Sequence, residues 1–173
     1  MSTPAAIALE REERAAVRRA RLLPWASVMV ASLVAGALPV VTNAPLLPPL
    51  GLLMLLAWRL LAPLALRPWA PALLGLFDDL ISGQPLGSAM LLWQLSFFLV
   101  LLVDQRTMFR EFVTDWAIAA AAIALVLAGG RLAATPLTAH VDQMLLAQIA
   151  ISILLFPAAA RQVAWIDRAR GPA

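Results

Sequence analysis

Two neighbouring carboxylates, Asp78 and Asp79, stand in the stretch GLFDDLISGQPLG, residues 75–87, inside an otherwise leucine- and alanine-rich region. Paired carboxylates can divide the work of general acid and base, but only when they approach each other across a site. Adjacent positions on a helix point about 100° apart, so these two address different faces and form no close dyad by themselves. Besides them the apolar runs hold only Asp115, expected near the opposite interface, so an intramembrane aspartyl enzyme would lack its second acid. His140, beside Asp142 in an expected loop, is the single histidine. Without cysteines or a carboxylate cluster it makes a poor metal site. The chain has no cysteine, which excludes disulfides, thiolate metal sites and cysteine nucleophiles. It also lacks a serine–histidine constellation, HExxH, a Walker sequence and a glycine-rich nucleotide loop. No catalytic, cofactor-binding or metal-binding residue is assigned, and the expectation is a protein that is not an enzyme.

The elements that must carry the aspartates are helices in lipid. Of the 173 residues 62% are hydrophobic and 13% charged, with a mean hydropathy of +0.87. A soluble domain carries roughly twice that charge fraction. A bilayer core about 30 Å thick needs about 20 apolar residues per helix. The pattern predicts an all-α, polytopic bundle of six transmembrane helices over residues 22–41, 46–61, 69–81, 86–103, 112–128 and 144–160. A basic segment, 1–21, precedes this 22–160 membrane domain and a basic tail, 161–173, follows it. The acidic run EREE and the length before the first apolar run argue against a cleaved signal peptide.

Orientation follows from arginine, the chain's one basic residue type apart from His140. With both termini inside, Arg11, Arg14, Arg18, Arg19, Arg21, Arg67, Arg106, Arg110, Arg161, Arg168 and Arg170 all fall on the cytoplasmic side, and Arg131 alone falls outside. Arg59, near the inner end of the second span, is expected to snorkel to the headgroups. Trp25, Trp58, Trp69, Trp116 and Trp165 are expected in an aromatic belt at the same interface, with Trp93 mid-span. The arginines beside apolar runs fit anionic lipid, and no extended basic face points to nucleic acid.

A central Asp costs about 2.5–3.5 kcal/mol on insertion, and the apolar residues of the third span return roughly 2–4 kcal/mol together. The pair must therefore lie near an interface, be protonated, or be satisfied by neighbouring helices. For Asp79 two readings stand: its carboxylate accepts N–H groups of the 83–87 turn or the start of the next span, or it makes a polar contact within the bundle or to a partner helix. Asp78 is read as facing water or headgroups. Gly83 and Gly87, with Pro85 between them, read as a turn and not as a dimerisation face. Ala117, Ala120, Ala121, Ala124 and Ala128 form a small-residue face, read as internal packing, with a partner helix as the alternative.

Gly75, Asp79, Gly83, Pro85, Leu86 and Gly87 together resemble the signature of the MreD family of rod shape-determining membrane proteins: a glycine-bearing helix reaching an aspartate, then D-L-x-x-G-x-x-L-G, then a long apolar span. Trp58 and Pro63 are similar to a tryptophan and a proline that close the family's second span. The likeness is carried by residues 45–110, and beyond them by hydropathy. Asp78, where the family has an apolar residue, and Arg59 depart from it. The resemblance implies a non-enzymatic scaffold in the bacterial inner (cytoplasmic) membrane that maintains rod shape. Its implied partners are MreC by direct contact, MreB filaments, and RodA with the elongation penicillin-binding protein. It also implies a fold like the six-helix substrate-binding component of certain vitamin transporters. A membrane-embedded small-molecule binder is therefore the rival reading, with Gln94, Ser96, Gln148 and Ser152 as its sparse polar groups.

Overall fold

A computed structural model describes residues 22–37, 47–83, 85–104, 112–134 and 143–170. Among these residues there are six helices and no strand: α1 (Leu22–Ala37), α2 (Leu50–Leu61), α3 (Ala70–Ser82), α4 (Ser88–Asp104), α5 (Phe112–Ala134) and α6 (Gln143–Arg170). The N-terminal arginines, Arg106, Arg110, His140 and Gln84 lie outside the described residues. Of the six helices, α5 and α6 are long and apolar enough to cross a membrane, while α1, α2 and α4 are apolar but shorter. With 13 residues, α3 rises only about 20 Å.

α2 is the central helix. Arg59 apart, its residues are apolar all round, which suits a helix surrounded by others. Gly51 through Leu60 are all buried, with α6, α5 and α4 packed around them. On the α1 side Gly51 leaves no room for a Cβ, which would meet the Ser32 hydroxyl and, at 2.9 Å, the Trp93 ring. Successive helices alternate in direction, so α1 and α3, and likewise α2 and α6, run parallel. Trp25 at the start of α1 meets Trp69 at the start of α3, ring centroids 5.4 Å apart. Gln148 near the start of α6 donates to the Leu47 carbonyl before α2.

Two of the tryptophans expected at the interface are tied to neighbouring helices. Trp58 is fully buried, and its Nε1 donates to the Ser27 hydroxyl at 2.8 Å, joining α2 to α1. Trp116 donates Nε1–H to the Ile153 carbonyl of α6 at 3.0 Å. That carbonyl needs a partner because Pro157, four residues on, has no N–H to offer it. A helix tolerates an internal proline in lipid when a neighbour satisfies the freed group. The helix therefore passes through Pro157 unbroken, and it runs beyond the expected 144–160 range to Arg170.

Trp116→Phe is expected to lose about 1–3 kcal/mol, the cost of a buried carbonyl left without a donor. Pro157→Ala restores the donor within α6, so the double variant is expected to recover most of that loss in thermal melts of the detergent-solubilised protein.

The alanine face of α5 is also redistributed. Ala119, Ala122, Ile123 and Val126 are buried, whereas Ala117 and Ala121 are exposed and line an apolar groove against Leu99 and Val103 of α4. Ala120, Ala124 and Ala128 are half-buried. A helix that is small and apolar all round offers no face by periodicity, so its neighbours choose one.

Candidate functional site

Side-chain hydrogen bonds gather at the corner joining α3 to α4. A helix begins with four N–H groups that no intrahelical carbonyl reaches, and Gly87, at the cap of α4, has no side chain to serve them. Asp79 serves them from the preceding helix. Its Oδ2 accepts from Gly87 N–H at 2.9 Å and Met90 N–H at 3.3 Å. Its Oδ1 accepts from Ala89 N–H at 2.9 Å and the Ser88 hydroxyl at 3.1 Å. The remaining amide, Ser88 N–H, donates to the Pro85 carbonyl at 3.1 Å. All four orphan donors are thereby accounted for. Asp79 is only 1% exposed, and its negative charge lies where the α4 dipole is positive.

The start of α3 is served in return. Ala70 N–H donates to the Arg67 carbonyl at 2.9 Å, Pro71 has no N–H, and Ala72 N–H donates to Gln94 Oε1 of α4 at 3.1 Å. Gln94 Nε2 donates to the Pro68 carbonyl at 2.8 Å. Each helix thus caps the other. Between the two caps the backbones nearly touch at Gly75, where a Cβ would lie 2.7 Å from the Ala89 carbonyl oxygen and 2.8 Å from Met90 Cα. Gly83 closes α3 with φ 68° and Gly87 has φ 94°, the left-handed region that glycine enters without strain. Pro85 and Leu86 are exposed at the tip.

A carboxylate offers about four lone-pair sites, and Asp79 fills them with four donors. It keeps no acceptor capacity for a ligand. What the arrangement can do is hold two short helices at a fixed angle.

Asp78 points elsewhere. It is half-buried and lies against the buried Ser32 hydroxyl of α1, outside good hydrogen-bond geometry. α1 covers part of this side of α3, where the sequence suggested water or headgroups. The polar groups of the rival binder do not converge either. Gln94 and Gln148 hold loop carbonyls, and Ser96 and Ser152 donate to their own helices at Trp93 and Gln148.

Arg59 also departs from expectation. It does not snorkel; it is 3% exposed, its Nη2 lies 3.3 Å from Asp104 Oδ2, and its guanidinium sits over the Phe97 ring at 5.2 Å. Sequence reasoning missed Asp104 and Phe97. The signal was present, since Asp104 closes the fourth span at the end where Arg59 closes the second. Asp104→Ala is expected to destabilise the protein by about 3–5 kcal/mol by leaving a buried cation. Arg59→Met together with Asp104→Leu is expected to restore most of that stability in the same melting assay.

The family model for the rod shape-determining protein MreD matches residues 18–160, a range that contains the whole α3–α4 corner. No curated protein and no solved structure matches the chain. A family match over that much of a 173-residue chain, on an all-helical apolar bundle, establishes that the chain belongs to the rod shape-determining MreD family.

Proposed function

We propose that the protein is a non-enzymatic scaffold of the bacterial cell-elongation machinery in the inner membrane. Its six helices cross the bilayer with both termini in the cytoplasm. In this reading it binds MreC directly and works with MreB filaments, RodA and the elongation penicillin-binding protein. The family match supports the rod-shape role. The observation that carries the scaffold reading is the reciprocal capping of α3 and α4, in which the polar groups of the corner are spent on geometry. The corner presents an exposed apolar rim at Leu80 and Leu86, which in this topology faces away from the cytosol as a contact surface for partner helices.

The absence of cysteine makes a clean test available. A cysteine at Leu86 is expected to react with a membrane-impermeant maleimide in intact spheroplasts, and one at Ala173 only after permeabilisation. Labelling of both from one side would overturn the topology. A photo-crosslinker at Leu80 or Leu86 is expected to capture MreC; adducts with no elongation protein would overturn the scaffold assignment.

A further inference from the structure

A groove of about 530 Å³ runs along the face where α1, α2 and α6 meet. Its walls extend from Leu23 to Val34 on α1 and from Leu155 to Ile166 on α6, with Leu53 and Met54 of α2 as floor. At 1.5 Å per residue each wall is about 16 Å long. That matches one leaflet, half of a hydrocarbon core about 30 Å thick.

The lining is alkyl carbon except for Ser27 and Gln162, each about one turn in from the end that Leu23 and Ile166 form. Ser27 is occupied, donating to the Pro24 carbonyl and accepting from Trp58, whereas Gln162 is exposed at the mouth. The last turns of α6 at that same end bear Arg161, Arg168 and Arg170 against a single acid, Asp167. Arg161 and Arg168 are exposed, and Arg168 Nε donates to the Ala164 carbonyl at 3.1 Å.

We propose that this groove binds one acyl chain of an anionic phospholipid from the leaflet nearest the end of α6, with the headgroup at Gln162 and the exposed Arg161 and Arg168. The volume suits that occupant. At about 30 Å³ per water-sized group it holds on the order of 18 methylenes, whereas a helix is 10–12 Å across and would need a trough through both leaflets. The α4–α5 groove is a built-in control. It is similarly apolar and holds about 450 Å³, and the helix ends beside it carry the acids Asp104 and Asp115.

The test uses the full chain in phosphatidylcholine vesicles doped with phosphatidylglycerol that carries a diazirine midway along one acyl chain. Photolabel is expected to concentrate on the α1, α2 and α6 residues that line the groove. Excess unlabelled phosphatidylglycerol is expected to compete, and phosphatidylcholine is not. Ala158→Trp and Val30→Trp, at exposed wall positions, are each expected to cut the labelling about tenfold by denying burial to a few methylenes. Ala121→Trp in the other groove is expected to leave it unchanged. Equal labelling of the two grooves, equal competition by the zwitterionic lipid, or labelling that survives both filling variants would overturn the assignment. So would protein–protein crosslinks from Ala158 showing a helix in the groove.

Discussion

Asp79→Leu is expected to leave Gly87, Ala89 and Met90 N–H and the Ser88 hydroxyl facing an apolar side chain. A buried donor without a partner costs about 1–3 kcal/mol, and the losses at one site are not additive. A total on the order of 4 kcal/mol is expected, a large share of the stability of an ordinary domain. The folded fraction of Asp79→Leu, read by size-exclusion chromatography after a heat step, is expected to fall close to zero. Cells relying on this variant are expected to round up. Asp79→Asn separates charge from shape. Its amide oxygen still accepts two bonds, but its NH₂ confronts donors, so a loss of about 2 kcal/mol is expected. A normal folded fraction for Asp79→Leu would sink the capping role.

Gly75→Val is expected to be the most damaging change that alters no polar group. The new Cβ would lie 2.7 Å from the Ala89 carbonyl oxygen and 2.8 Å from the Ala89 carbonyl carbon. Those atoms are backbone, and no rotamer change moves them aside. Overpacking alone costs about 1–3 kcal/mol. Separating the helices also draws Ala89 and Met90 N–H away from Asp79, so a loss above about 3 kcal/mol is expected by the same assay. Gly75→Ala is expected to do about half as much. Gly83→Ala and Gly87→Ala meet no neighbour and are expected to cost only about 1–2 kcal/mol each, the strain of φ > 0 with a Cβ. The order Gly75→Val, Gly75→Ala, Gly83→Ala distinguishes close helix approach from turn conformation as the reason for glycine.

Much of the corner was legible from residue types. An aspartate in an apolar run must find donors, a glycine–proline–glycine turn supplies a new helix start within reach, and the next amides are the nearest donors without partners. The 0.5-charge pole of the α4 dipole strengthens the same pairing. Gln94 was noticed only as a sparse polar group. That it caps α3 from the neighbouring helix was not readable, because its partners Pro68 and Ala72 lie more than twenty positions earlier.

The sequence alone determined that this protein is helical and has the apolar composition of a membrane protein. It also settled that Asp78 and Asp79 would serve different faces. Hydropathy and helical geometry are local, so one chain segment is enough to state them. Only the tertiary structure decided that Arg59 stays inside with Asp104, that Trp58 and Trp116 bond to α1 and α6 within the bundle, and which alanines of α5 are buried. Lipid and protein interior are equally apolar, so the composition of a helix does not say which side meets which. That choice falls to the neighbours, and to the few polar atoms that must find one another across the bundle.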